Sequence, residues 1–236
     1  MATVTETTTT TTTAPPKANA PDPDGPKIVL NGVSWQTYLD LLETEESRHN
    51  SVRMMYDRGR LVLMTVSRKH EQIAERLGLL IRLAAAGMGL NCTGVGRWTL
   101  KRESVQRGKE PDTAFYLANE PGVRGRELDL EVDPPPDLAV EVEISHHDKG
   151  MFEIYAGLGV PEIWVYENEA LRVLQFQADG RYADVSVSPG LPFLPLNEIN
   201  SWLELAAAEG DTAMVLAVLD WARNELAPRA RQEGGA

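Results

Sequence analysis

Two glutamates alternate with β-branched residues in the run Leu138-Ala139-Val140-Glu141-Val142-Glu143-Ile144. Side chains alternate along a strand, so Glu141 and Glu143 share one face while Val140, Val142 and Ile144 share the other. Neighbouring carboxylates repel and need water, a cation or basic side chains to be tolerated. A half-solvated antiparallel strand with acids on its wet face would show the same alternation. The run leads, however, into a helical stretch from about Asp148 to Leu158 and a second strand from Pro161 to Tyr166. That is a β–α–β crossover, and crossover strands are usually covered on both faces, which favours a site. Upstream, Glu110-Pro111-Asp112 enters another strand, Thr113 to Leu117. Pro-Asp alone is turn chemistry. Together with Glu141 and Glu143, Asp112 offers three oxygen ligands from neighbouring strands, which suits Mg²⁺ or Mn²⁺.

Other chemistries lack parts. His146-His147-Asp148 resembles a metal cluster, but consecutive residues at a strand end point apart, and further His or Cys at zinc spacing is missing. One of these histidines could still relay a proton. Ser145 beside His146 has no nucleophile elbow, and Cys92 sits between strand residues. Gly94-Val95-Gly96 is a turn, because no Gly-Lys-Ser/Thr and helix follow it.

The elements that must position these residues can be read along the chain. Ser34 caps a short helix to Leu42. Met54–Tyr56 and Leu61–Val66 are strands around the turn at 57–60. Ser67 opens a helix with Ile73, Leu77, Leu80, Ile81 and Ala84 on one face, stopped at Gly87 or Gly89. Asn91–Thr93 and Gly96–Lys101 are strand-like. A hairpin surrounds Asp179-Gly180, and helices follow over 196–205 and 211–226. The fold class is therefore α/β (α+β), a mixed central sheet flanked by helices.

The chain has 236 residues and a net charge of −12, which excludes a strongly basic nucleic-acid coat but not a local basic patch. No apolar run is long enough to cross a bilayer. A lone cysteine cannot staple a fold internally, which points to a reducing cytoplasm. Residues 1–26 hold nine Thr within the first thirteen positions and five Pro after them, a composition that predicts a solvated tail. Residues 227–236 are short, polar and Gly-tipped, a second tail. The first tail carries a net −2 and the second +1, so −11 of the −12 belongs to the single domain over 27–226.

The ordered series Pro-Asp at 111–112, Pro-Asp-Leu-Ala-Val-Glu-Val-Glu-Ile-Ser at 136–145 and Tyr-Ala-Gly-Leu-Gly-Val-Pro-Glu-Ile-Trp at 155–164 resembles the Uma-type restriction endonuclease family. That family lies within the PD-(D/E)XK nuclease superfamily. Tyr-Asp-Arg-Gly-Arg-Leu at 56–61, His70-Glu71 at a helix start and Pro192-Phe193 extend the likeness over roughly residues 34–205. The resemblance implies a restriction-endonuclease-like sheet with Asp112 and Glu141 as the divalent-metal ligands, the metal being Mg²⁺ (or Mn²⁺). It also implies that Glu71 is the extra acid many such nucleases carry, and that a metal-activated water attacks a phosphodiester. The position usually held by the motif lysine is Glu143 here. A cation is still needed near the scissile phosphate. Lys149, at the start of the crossover helix, is the first candidate to replace it, followed by Lys101 and Arg102.

Arg97, Lys101, Arg102, Arg107 and Lys109, with Arg53, Arg58, Arg60, Arg68 and Lys69, form a candidate basic rim for weak DNA binding. Arg124 and Arg126 flank a turn. The expected activity is a Mg²⁺-dependent endonuclease acting on DNA, and the alternative is a catalytically silent binding module on the same fold. The terminal helix, with Met214, Val215, Val218, Leu219 and Trp221, must cover the domain or meet another copy, so a homodimer is expected. Residues 1–26 hold no site residue and no core face. Deleting them is expected to leave the melting temperature within a few degrees of the full chain, as read by circular dichroism.

Overall fold

The computed structural model describes residues 27–48, 52–144 and 150–226. The two predicted tails, and Ser145 to Lys149 with His146 and His147, lie outside the described residues.

In chain order the elements are β1 (Lys27–Asn31), α1 (Trp35–Arg48), β2 (Val52–Asp57), β3 (Arg60–Thr65), α2 (Arg68–Gly87), β4 (Thr93–Gly94), β5 (Leu100–Arg102), β6 (Arg107–Lys109), β7 (Thr113–Tyr116) and α3 (Glu120–Val123). There follow β8 (Leu138–Glu143), α4 (Gly150–Leu158), β9 (Glu162–Glu167), β10 (Ala170–Phe176), β11 (Tyr182–Asp184), α5 (Leu196–Glu209) and α6 (Asp211–Trp221). Ser67 caps α2, its hydroxyl accepting from the His70 N–H, and Gly89 turns the chain away with φ of +68°. Gly159, at φ +81°, closes α4 as its sequence position predicts.

The strands form two sheets. The six-stranded sheet runs β11-β10-β9-β8-β7-β4 and is mixed, with β8 and β9 parallel across the α4 crossover. The five-stranded sheet runs β1-β3-β2-β6-β5 and its pairs are antiparallel. β1 and β6 were not legible in the sequence, and β6 proves to matter most.

Helices and sheets stack in layers. Val140 and Val142 on β8, with Trp164 and Val173, pack against α2, α5 and α6. Ala139, Ile163, Val165 and Leu174 on the other face meet α4 and then Met55, Val62 and Leu100 of the five-stranded sheet. Trp35, Tyr38 and Leu42 of α1 cover the far side of that sheet over Met54, Tyr56 and Leu61. The α6 residues Met214 and Val218 are fully buried against the main core, and Trp221 tilts onto Trp202. The apolar face of α6 therefore covers its own domain, which removes it as a basis for dimerisation. Among the described residues no helix is long and apolar enough to cross a membrane.

A glycine fixes the height of β6. Tyr38 is fully buried and stacks on Tyr56 with ring centroids 4.8 Å apart. A Cβ on Gly108 would stand 2.8 Å from the Tyr38 ring carbons and closer still to its hydroxyl. The ring is wedged between Trp35 and Tyr56 and cannot swing aside. Gly108→Ala is expected to lower the unfolding free energy by about 1–3 kcal/mol in urea denaturation.

Candidate active site

The site lies where the chain leaves one sheet for the other. β6 ends at Lys109, Glu110-Pro111 crosses over, and Asp112 leads into β7. β7 pairs with β8 antiparallel and their ladder ends with Thr113 opposite Val140, which sets Asp112 just beyond it, beside β8. Two bonds clamp this corner: the Asp112 N–H donates to the Val140 carbonyl at 3.2 Å, and the Val142 N–H donates to Asp112 Oδ2 at 2.8 Å.

Glu141 faces the layer between the sheets, as the alternation along its strand predicts. It is only 4% exposed, so water cannot solvate it. Two groups from other elements take its oxygens. The Lys109 ammonium is 3.1 Å from Oε2, and the Tyr155 hydroxyl of α4 donates to Oε1. Lys109 points there because it sits opposite Met55 and Leu100, which line the same layer. Glu143, the next residue on that face, is half-buried and adds to the negative field around Lys109.

Asp112 is held by a different set. Nε2 of the buried His70 lies 3.2 Å from Oδ2, and Arg53 Nη2 stands 3.6 Å from Oδ1. Arg53 is also buried and donates through the same nitrogen to Glu71 at 2.8 Å. Glu71 itself is half-exposed and takes a second, longer contact of 3.3 Å from Arg97. It thus touches the cationic surround of Asp112 rather than Asp112 directly. The residue before it, His70, makes the direct contact.

Burial is the largest influence on each charge here. It pushes the Glu141 carboxyl up, with Asp112 adding to the rise, to about 7 despite Lys109 and Tyr155. Burial also works to raise Asp112, but His70, Lys109 and Arg53 outweigh it and hold that carboxyl below its usual range. It works against protonation of Lys109 and His70, yet the facing carboxylates keep both above their ordinary values. Asp112, Lys109 and His70 are therefore held in their charged forms out of water, while Glu141 is pushed toward its neutral form.

Sequence reasoning placed Asp112, Glu141 and Glu143 around one point; the structure brings Asp112 and Glu141 to one buried corner, while Glu143 stands beside it and acts on Lys109 through its charge. Lys149 lies outside the described residues. Lys101 is exposed, and Arg102 is spent on the Leu130 carbonyl at 2.7 Å. Lys109 and Arg53, expected in the basic rim, and His70 and Tyr155, known only from the family-like series, are buried at the site instead. Lys109 carries a sequence signal: it precedes the Pro-Asp corner by two residues and so must lie close to it. Much of the expected basic rim is spent internally. Arg107 and Arg58 bind Asp57, Arg124 binds Glu120, and Arg126 binds Asp133. Arg97, half-exposed beside Glu71, stays at the rim.

Among the described residues, no three His, Cys, Asp or Glu side chains converge as a ready metal cluster. The expected trio of oxygen ligands is thus replaced by two carboxylates with a lysine. That donor set still fits a magnesium-type ion, which keeps several waters and takes one or two carboxylates. Burial, with a smaller part from Asp112, raises the Glu141 carboxyl, so a dication bound there would favour its ionised form.

A raised carboxyl pKa in the folded state makes ionisation more costly there than in the unfolded chain. The destabilisation sets in as pH rises above about 4.5, the ordinary value, and is complete above about 7. In metal-free buffer, the stability of Glu141→Gln relative to wild type is expected to rise across that window by roughly 3 kcal/mol. Urea denaturation at a series of pH values checks this, and a flat difference would refute it.

The family Uma2, described as "Putative restriction endonuclease", matches residues 35–208. No curated protein matches the chain. Among solved structures, a "putative nuclease belonging to DUF820" from Anabaena variabilis ATCC 29413 aligns with a TM-score of 0.50 at 16% identity. The alignment covers 72% of this chain and 99% of that one. At that identity the likeness bears on the fold, and it agrees with a restriction-endonuclease-like arrangement. The matched span runs from α1 into α5 and includes Lys109, Asp112, Glu141 and Tyr155, and the chain belongs to the Uma2 family.

Proposed function

We propose that this protein is a divalent-metal-dependent endonuclease that hydrolyses phosphodiester bonds in DNA. The observation that carries the proposal is the Lys109 ammonium, 3.1 Å from Glu141 and within the field of Asp112. Two carboxylates and a cation are the minimum a PD-(D/E)XK site requires, and Glu143 had left the cation without an owner. Lys109 supplies it from a different strand.

Asp112 and Glu141 would hold Mg²⁺ or Mn²⁺, which when bound supplies an activated water for in-line attack and stabilises charge on the leaving oxygen. The chain's own groups prepare that geometry. His70 and the Val142 N–H fix the Asp112 carboxylate, and Tyr155 fixes Glu141. Lys109, kept protonated by its surroundings, stabilises negative charge developing on the phosphoryl oxygens. Arg97 offers a phosphate contact at the rim, with Glu71 orienting it. Glu143 supports the site electrostatically, and Lys149 is a second source of positive charge.

A silent binding module is the competing reading. It is favoured by the Lys109 side chain being only 8% exposed, so that Lys109 and Glu141 could serve each other and nothing else. Plasmid nicking in Mg²⁺, Mn²⁺ and EDTA, run beside thermal shifts in the same ions, separates the two. Nicking is expected with either metal and to fall at least about a hundredfold in Lys109→Met. That variant also breaks a buried ion pair and should lose roughly 3–5 kcal/mol of stability. Lys109→Met combined with Glu141→Gln should recover most of the stability and none of the nicking. Loss of nicking in Lys149→Ala alone would move the cation role to Lys149. Metal-dependent stabilisation of the wild type without nicking would leave the binding module.

A further inference from the structure

Sheet edges expose unpaired backbone groups, and folded proteins blunt them with short strands, charges or covering loops. Three of the four edges here follow that pattern. β4 is two residues long, β11 three, and β5 is Leu100-Lys101-Arg102, with two charges in three residues. β1 differs. It has five residues, Lys27-Ile28-Val29-Leu30-Asn31, pairs on one side with β3, and every residue is exposed. Ile28 is 57% exposed, Val29 43% and Leu30 42%.

These three residues are apolar on both faces of the sheet. Ile28 and Leu30 lie opposite Leu63 and Leu61, which face α1, whereas Val29 lies opposite Val62, which faces the layer containing α4. A strand apolar on both faces is the pattern of an interior strand, not of an edge.

We propose that β1 pairs antiparallel with β1 of a second copy across a twofold axis at Val29, joining the two five-stranded sheets into one. The strand is self-complementary in that register. Val29 meets Val29 of the partner, Ile28 meets Leu30, and Lys27 meets Asn31, so no like charges face each other. Charge also selects this surface. The body carries most of the chain's −12, yet β1 has no acidic residue and its neighbour across from Asn31 is Arg60. No acidic side chain of the strand itself opposes the approach of a second acidic body. The chain's own residues 1–26 are the rival occupant. Their five prolines, all between positions 15 and 26, lack the N–H that a pairing strand must donate.

Sedimentation velocity of the full chain over a concentration series tests this. The wild type is expected to reach twice the chain mass at tens of micromolar protein, more readily in higher salt, which screens the acidic bodies. Val29→Lys sets two positive charges face to face and should weaken dimerisation at least about tenfold. Val29→Glu should do the same, and an equimolar mixture of the two variants should recover the dimer. Leu216→Lys, at a more exposed position on α6, should leave the mass unchanged. Circular dichroism melting establishes that each variant folds; should Val29→Lys fail to fold, Ile28→Thr with Leu30→Thr replaces it, with the same loss expected. A wild type that stays monomeric, or a dimer untouched by these substitutions in folded protein, overturns the proposal. Dimerisation that appears only after deletion of residues 1–26 also overturns it, because the tail would then own the edge.

Discussion

The ion pair between Lys109 and Glu141 is the constraint around which the two sheets are arranged. It lies between the layers, where each partner alone would cost several kcal/mol to desolvate. Such a pair survives only where the remaining hydrogen-bonding capacity is met, and three elements meet it. α4 contributes the Tyr155 hydroxyl, β8 places Glu141, and β6 carries Lys109 in from the other sheet. The crossing at Glu110-Pro111 is two residues long, so Lys109 and Asp112 cannot separate. One short corner therefore brings both a cation and a carboxylate to the end of Glu141.

The two carboxylates differ because their surroundings differ. Asp112 receives a backbone N–H, an imidazole and the nearby charge of a buried guanidinium, whereas Glu141 has one ammonium and one phenol deeper in the protein. The first is kept ionised and the second is pushed toward neutrality. Environments that drive neighbouring acids apart are characteristic of working sites. Packing supports the same division: β8 turns its valines to α2 and its glutamate to α4, so the strand separates one apolar core from a second into which the charges are set.

Much of this was legible in the sequence because it rests on local rules. Alternation along 138–144 put Glu141 opposite the valines, Ser67 marked the start of α2, and Gly159 marked the end of α4. What could not be read depends on contacts between distant segments. β6 is Arg-Gly-Lys, a triplet with no apolar period, and becomes a strand only because β2 and β5 pair on either side of it. His70 resembles an ordinary residue of a helix's first turn until tertiary packing buries it against Asp112. α6 posed the reverse problem. Its apolar surface was plain, but whether α2 and α5 or another copy would cover it was a question that only their packing answered.

The arginines extend this argument from stability to function. An acidic body with a basic rim would attract a polyanion to the rim, but here Arg107, Arg58, Arg124 and Arg126 are committed to Asp57, Glu120 and Asp133. Whatever each pair adds to stability, it neutralises a charge that could have met a phosphate. Affinity for a phosphate backbone scales with the number of contacts, each releasing a counterion. Under the proposed function, the commitment of these four arginines leaves the rim fewer phosphate contacts among the described residues, so that it would orient a strand more than hold it. The attraction that matters must arise at the site itself, where the local field depends on whether Asp112 and Glu141 are compensated. Without a dication, Lys109, His70 and Arg53 are turned to the two carboxylates rather than to a phosphate. Under the proposed function, metal binding would therefore set both the chemistry and the docking of the strand.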